Sequence, residues 1–400
     1  MKILQLCNKP PYPPVDGGSK AMNNLTQGLL DLDHEVHVIC ISTPKHKMLK
    51  SEVPRAYKQK TKVKTVYVDT SINVVDAFSD LITQDNYNIS RFFSTDLDRE
   101  LVKTFGENKY DIVQLESLFM TPYIPTIRRH SKAKIILRSH NLEYMIQERI
   151  ASGEKNIFKK PYRKYLAKQL KEYEINILNS VDGIVAISSA DAKNYRQYGS
   201  NTPIETVPFG VNIEEYELHD RKKDKMDLFH LGSMDWLPNL EGIYWFLDKV
   251  WPNVHKNDQK VKLDLAGIKM PQHMLEMKMK NVNVQGKVPD ALEFMSTGRI
   301  MVVPLFSAGG MRVKIIEGMA LGKVIISTSI GAEGIAVKDG KDIMIANDAA
   351  QFSKAIKQLT SDPEICTEIG NNARETIASK YSNAAFCEDL SDFYQGLIKK

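Results

Sequence analysis

The sequence predicts an α/β protein of two doubly wound domains with a cleft between them. Three observations predict it. Short apolar runs alternate with amphipathic helical stretches from end to end, the pattern of buried parallel strands joined by right-handed helical crossovers. The 400 residues exceed what one hydrophobic core holds, so two units of roughly 200 residues are the default. Glycines and polar clusters fall just after predicted strands, where open parallel sheets bind ligands.

In chain order, the first-half strands are expected at Ile3–Leu6, Glu35–Ile41, Val63–Val68, Ile112–Leu115, Lys134–Leu137, Gly183–Ile187 and Glu205–Pro208. Helical patterns such as Lys20–Leu32, Thr121–His130 and Leu142–Ala151 lie between them. The second half repeats the style with strands at Leu228–Leu231, Val261–Ala266, Val282–Val284, Ile300–Pro304, Val324–Thr328 and Asp342–Ala346. Its helices are expected at Leu240–Lys249, Ala291–Ser296, Arg312–Leu321 and Ala350–Thr360, and the pair Glu364–Lys380 and Ala384–Leu397 closes the chain. The joint falls near Phe209–Lys225, where Glu214, Glu215 and Glu217 give way to Arg221, Lys222, Lys223 and Lys225 with little to bury. The expected domains are therefore 1–212 and 213–382, followed by a closing helix in 383–400.

Composition excludes several classes. With 42% hydrophobic and 26% charged residues the chain reads as an ordinary globular protein, and no apolar run approaches the ~20 residues of a membrane span. The Met1–Asn8 segment is too short and too quickly polar for a signal peptide and reads as a first buried strand. Cys7, Cys40, Cys366 and Cys387 lack metal-ligand or CxxC spacing, which predicts reduced packing residues, a cytoplasmic setting and no zinc. The net charge of +5 is uneven: residues 1–210 hold 30 basic against 23 acidic side chains, and 211–400 hold 24 against 26. Much of the excess lies in Lys155, Lys159, Lys160, Arg163, Lys164, Lys168 and Lys171, interleaved with Ile157, Phe158, Tyr162, Tyr165, Leu166 and Leu170. Lys155–Lys171 is thus either a surface for an anionic membrane or a solvated helix face over a core. No recognition motif accompanies the charge, so nucleic acid is not expected.

Four segments carry chemistry. After the first strand, Pro10–Ser19 stiffens a loop whose Gly17 and Gly18 let backbone amides face a ligand. It is not GxGxxG, and no acid ends the second strand as a nicotinamide site requires. Arg138-Ser139-His140-Asn141-Leu142-Glu143 ends a strand with polar side chains: His140 can donate to a substrate hydroxyl or relay a proton. Alternatively, Ser139 or Asn141 caps a helix with Glu143 assisting. Gly232 and Ser233 follow a strand and precede a helix marked by Pro238 and Asn239, another place for amides to meet phosphate; Trp236 and Trp245 can be core.

The fourth segment, Ser307–Gly322, says most. A strand feeds the turn Gly309-Gly310, and a helix follows at once. Glycines admit close backbone approach, and a helix start offers unbonded N–H groups at its positive dipole end. Arg312 and Lys314 add two cations there, with Glu317 one turn on. An anion beside a polyol suits the set; a glycine turn with a surface ion pair is the plain alternative.

Together these pieces, with Pro208-Phe209-Gly210-Val211-Asn212, resemble family 4 glycosyltransferases of the GT-B fold over essentially the full chain. The resemblance implies retaining, metal-free transfer of a sugar from a nucleoside-diphosphate donor, with no cofactor. The donor would bind the second Rossmann-like domain. Arg312 and Lys314 would hold the diphosphate, Glu317 the ribose, and Gly232, Ser233, Gly309, Gly310 and Met311 would line the donor. His140 would touch the transferring sugar. A glycan or lipid-linked acceptor would bind the first domain, near Gly17, Gly18, Asn141 and Glu143, and the final helix would cross back onto that domain. Bacterial surface polysaccharide or glycoconjugate synthesis at the inner face of the cytoplasmic membrane is the expected setting. Two departures stand out: Gly309 occupies the place of a glutamate common eight residues before Glu317, and Met234-Asp235-Trp236 replaces a common Arg and Lys. The pattern is that of a GG-x-R-x-K subset. Rival readings are a non-catalytic sugar-nucleotide-binding protein and a nucleotide-sugar epimerase of the same fold.

Overall fold

The structure, a computed structural model, describes residues 1–48, 50–70, 87–154, 156–216, 225–307 and 310–399. It divides into two compact units, Met1–Gly210 with Asn383–Lys400, and Val211–Ser382. The charged part of the expected joint, 217–224, lies outside the described residues.

The first unit holds β1 Lys2–Cys7, β2 Glu35–Ser42, β3 Lys64–Tyr67, β4 Ile112–Glu116, β5 Lys134–Ser139, β6 Gly183–Ala186 and β7 Ile204–Thr206. All pair in parallel, in the order β3-β2-β1-β4-β5-β6-β7. The chain leaves β1 in one direction and returns to β4 on its other side, so the β1/β4 boundary is the switch point where such sheets open a ligand crevice. The helices are α1 Gly17–Asp31, α2 Arg55–Thr61, α3 Tyr87–Ser90, α4 Thr95–Glu107, α5 Ile124–His130, α6 Glu143–Gly153, α7 Lys159–Ile177 and α8 Ser189–Gln197. Strands β4 and β6 are buried along their whole length, as a sheet covered on both faces requires.

The second unit holds β8 Lys225–Leu231, β9 Leu263–Ala266, β10 Val282–Gly286, β11 Gly298–Val303, β12 Val324–Ser327 and β13 Met344–Ile345, again parallel, ordered β10-β9-β8-β11-β12-β13. Its switch point is β8/β11. The helices are α9 Leu237–Trp245, α10 Trp251–Asn257, α11 Gln272–Leu275, α12 Ala291–Thr297, α13 Val313–Ala320, α14 Ala349–Ser361 and α15 Pro363–Lys380. The single helix expected at Leu240–Lys249 is one part of a longer rod: a π-helical turn, Phe246–Val250, joins α9 to α10. Pro252 lacks the N–H a regular turn would need there. Trp245 packs against Phe306 and Phe352, at ring separations of 4.7 and 5.6 Å.

The last helix, α16 Asn383–Ile398, belongs to the first unit. Its Cys387, Leu390, Tyr394 and Leu397 join Met22, Leu25 and Leu29 of α1 in one core over the sheet. Gly28 makes that packing close, since a Cβ there would lie 2.3 Å from Cys387 Sγ. The four cysteines are free and buried, consistent with packing. No helix among the described residues is long and apolar enough to cross a membrane.

Candidate active site

In the second unit the candidates converge on the β8/β11 switch point. Gly310 adopts φ 67°, the left-handed region that favours glycine. It turns the chain from β11 into α13, whose N-cap is Arg312. The Arg312 guanidinium is buried, with 4% exposure. Its Nε donates to Gly331 O at 3.0 Å, and its Nη2 donates to Ile330 O at 2.9 Å and Glu333 O at 3.3 Å. Arg312 therefore clamps the turn after β12 with its donors, which the sequence reading did not anticipate. Gly309 lies outside the described residues.

Two residues on, Lys314 remains partly accessible. Its Nζ donates to Leu231 O at 3.2 Å and Asn239 Oδ1 at 2.7 Å, and no carboxylate pairs with it among the described residues. Burial first, and then the Arg312 charge, bring its ammonium down to about 7. Asn239 passes the connection on by donating to Ser233 O at 2.9 Å. Lys314, Arg312, Gly232 and Ser233 thus gather at one place. Glu317, one turn further along α13, is buried and accepts from the Tyr216 hydroxyl at 3.2 Å. Tyr216 escaped sequence reasoning, because only the fold brings it to α13.

The turn after β8 corrects an expectation. The Gly232 amide does not face a ligand, since it donates to Ala266 O at 3.1 Å, and Met234 N donates to Ile268 O at 3.0 Å. Gly232 serves packing instead. A Cβ there would meet Asn239 Nδ2 at 2.7 Å, and its own carbonyl would stand 1.8 Å from a Cβ on Gly267. The Ser233 hydroxyl is bonded to Asp235.

In the first unit a second cluster sits at the β1/β4 switch point. The expected glycine loop is helical: Gly17 and Gly18 open α1, because Asp16 caps it by accepting from Ser19 N at 2.8 Å. Lys9 Nζ donates to Asp16 Oδ1 at 2.6 Å, and a Cβ on Gly18 would lie 2.6 Å from that ammonium. Burial opposes ionisation of Asp16, yet Lys9 holds its carboxyl below the usual range. His140 Nε2 lies 2.7 Å from Glu116 Oε2, and burial lowers the imidazole pKa, keeping it neutral at pH 7.

The expected capping by Ser139 or Asn141 does not occur. Ser139 Oγ donates to Asn141 O at 2.8 Å and lies 2.5 Å from the Tyr195 hydroxyl. Asn141 Nδ2 donates to Glu143 Oε1 at 3.2 Å. The N-cap of α6 is Leu142, which has no side chain to serve, and Glu174 of α7 substitutes by accepting from Tyr144 N at 3.1 Å. Burial pushes the Glu143 carboxyl up to about 7 and, with the Glu143 charge beside it, Glu174 up to about 8. Lys9, Glu116 and Glu174 were not singled out from sequence. Glu116 had a readable signal, an acid ending an otherwise buried strand. Among the described residues no three His, Cys, Asp or Glu side chains converge to hold a metal.

With this geometry in view, the relatives agree. Residues 15–215, just over half the chain, match Glycosyltransferase Family 4, and residues 225–362 match Glycosyl transferases group 1. A Klebsiella pneumoniae protein described as an uncharacterized 44.6 kDa protein in the cps region is 26% identical over 404 residues, covering 96% of this chain and 97% of its own. The capsular polysaccharide biosynthesis glycosyltransferase CapM of Staphylococcus aureus is 23% identical over 206 residues, 48% of this chain and 54% of CapM. Among solved structures, Anabaena HepE in complex with UDP-glucose superposes with a TM-score of 0.67 at 13% identity, covering 99% of this chain and 100% of HepE. Two parallel Rossmann-like sheets, matched by two glycosyltransferase families in succession, make the chain a transferase of the GT-B fold, and it belongs to Glycosyltransferase Family 4.

Proposed function

We propose that this chain moves a sugar from a nucleoside-diphosphate sugar to a glycan or lipid-linked glycan, with retention and without a metal or cofactor, in bacterial surface polysaccharide synthesis. The observation that carries the proposal is Lys314, a partly exposed lysine whose desolvated ammonium has a carbonyl and an amide oxygen for partners and, among the described residues, no carboxylate. A diphosphate supplies the missing negative charge. As the glycosidic bond breaks, charge grows on the β-phosphate; Lys314 and the first amides of α13 stabilise it directly. Arg312, committed to three carbonyls, adds its field from behind and holds the neighbouring turn in place. Glu317 takes the ribose hydroxyls, and His140 meets the transferring sugar; Gly17, Gly18, Asn141 and Glu143 border the acceptor. The UDP-glucose in the HepE complex and the capsular setting named for CapM support the donor and pathway class.

The acceptor is proposed to lie at an anionic membrane on its cytoplasmic side. Helix α7 buries Ala167, Leu170 and Glu174. Ile157 and Phe158, just before the helix, and Tyr162 and Tyr165, on its other side, are 74, 85, 49 and 42% exposed, among Lys159, Lys160, Arg163 and Lys164. A face that served only to cover a core would point these rings inward. Exposed aromatics between cations suit lipid headgroups; Lys155 lies outside the described residues.

A thermal-shift panel of UDP-, GDP-, ADP- and dTDP-sugars tests the donor. One nucleotide class is expected to raise the melting temperature by mass action, and the rise should vanish in Lys314→Ala. A flat response to every nucleotide would overturn the proposal.

A further inference from the structure

The sheet of the first unit carries a polar ladder beneath α1 and α16. Alternation along a strand puts Gln114 and Glu116 of β4 on one face, and parallel register sets Gln5 of β1 opposite Gln114 and Arg138 of β5 opposite Glu116. All four side chains are buried to within 1%. Glu116 is their centre. Its Oε1 accepts from Gln5 Nε2 at 2.6 Å and from Gln114 Nε2. Its Oε2 accepts from Arg138 Nη1 at 3.1 Å and lies 2.7 Å from His140 Nε2.

The carboxylate orients both glutamine amides. Gln5 Oε1 accepts from Thr26 Oγ1 of α1 at 2.6 Å, and Gln114 Oε1 accepts from the Tyr394 hydroxyl of α16. Glu116, as a carboxylate, only accepts, so each NH2 end points at it and each carbonyl end at a hydroxyl. Burial disfavours a charge here, but Arg138, His140 and Gln5 outweigh it and bring the Glu116 carboxyl down to about 2. An ionised carboxylate only accepts, so the His140 nitrogen facing it must carry a proton. A neutral imidazole has one N–H. Nδ1 is then a bare acceptor; it makes no hydrogen bond among the described residues, and the side chain is 17% exposed.

We propose that Glu116 is a positioning residue that fixes the His140 proton on Nε2, presenting the Nδ1 lone pair as acceptor for a sugar hydroxyl, while Thr26 and Tyr394 set Glu116 through the two glutamines. The proposal rests on His140 meeting the transferring sugar. It differs from the sequence expectation, in which His140 donates to a substrate hydroxyl or relays a proton. The same ladder ties the far end of the chain to the site, since Tyr394 lies near the C-terminus. Arg138 and Lys9 are the other charges that His140 senses, and both oppose its protonation.

The test uses the full chain labelled with ¹⁵N-histidine, with His140 assigned by its loss in His140→Gln. At neutral pH the wild-type ring should show a protonated Nε2 and an unprotonated Nδ1. Glu116→Gln leaves one acceptor oxygen for four donors, so its spectrum should shift towards the Nδ1–H tautomer. Tyr394→Phe should give a smaller shift in the same direction with the fold retained. A wild-type ring protonated on Nδ1 overturns the proposal, as does a folded Glu116→Gln with an unchanged tautomer. Should Glu116→Gln not fold, the wild-type spectrum and Tyr394→Phe together with Thr26→Val decide it. Failure of the underlying reading looks different: His140→Ala would keep full turnover while the wild-type tautomer stayed as described.

Discussion

Lys314 and Arg312 look equivalent in the sequence and differ sharply in the fold. Each substitution by Ala is expected to weaken binding of the nucleoside diphosphate that the thermal-shift panel identifies at least tenfold, about 1.4 kcal/mol, by titration calorimetry. Stability should separate them. Arg312→Ala strips donors from three carbonyls and should melt earlier, at about 1 kcal/mol per lost bond as an upper scale. Lys314→Ala removes a desolvated cation and should melt no earlier than wild type. Equal losses of stability would remove the distinction.

The lysine also makes a proton prediction. Its native pKa of about 7 lies below the unfolded value of about 10.4, so between those limits the unfolded chain binds the extra proton. Stability from this group therefore increases as pH rises through that window, and its cost is greatest below it. A bound diphosphate favours the ammonium and reverses the preference. Binding of that nucleoside diphosphate near pH 8 should accordingly take up close to one proton and weaken as pH rises further, read from binding enthalpies in two buffers of different ionisation heat. Uptake of no proton would take Lys314 out of contact with the anion. The residue types were legible from sequence; the depressed ammonium was not, because it comes from desolvation by β8 and α9, which are distant in the chain.

At the scale of elements, a helix and a glycine both took meanings that local pattern did not reveal. Gly17 and Gly18 read as a loop because glycine disfavours helix; Asp16 and Lys9 override that preference by capping and charge. Amphipathic spacing located the basic stretch of α7, whereas its outward-facing aromatics depend on which face Leu170 and Glu174 bury. For α7, the chain should co-sediment with vesicles containing phosphatidylglycerol and not with phosphatidylcholine alone. Reversing Lys159, Lys160 and Lys164 to Glu should abolish that binding, each lost cation being worth about 1 kcal/mol before any repulsion. Phe158→Ser should weaken it at unchanged melting temperature. Equal binding to both vesicle types would refute membrane docking by this face.

For the whole molecule, the return of α16 into the first unit makes the C-terminus part of the N-terminal core. Gly28→Ala should force α1 away from Cys387 and cost about 1–3 kcal/mol, as overpacking does, and so lower the denaturation midpoint. Cys387→Ala in the same chain should restore part of it, since the obstructing sulfur is gone. Without that rescue, the α1–α16 contact would not be limiting.

Short continuous apolar runs, period-3.6 hydrophobicity, chain length and the glycine-rich turns were enough to read two parallel sheets, their strand sequence and the two basic residues at the start of α13. Those features are local, set by how one segment divides its own apolar and polar side chains. The partners of Glu116, the capping of α6 by Glu174, the clamp made by Arg312 and the protonation of Lys314 were settled by tertiary structure alone. Each depends on desolvation and on contacts between segments tens to hundreds of residues apart, and burial is a property that no single segment possesses.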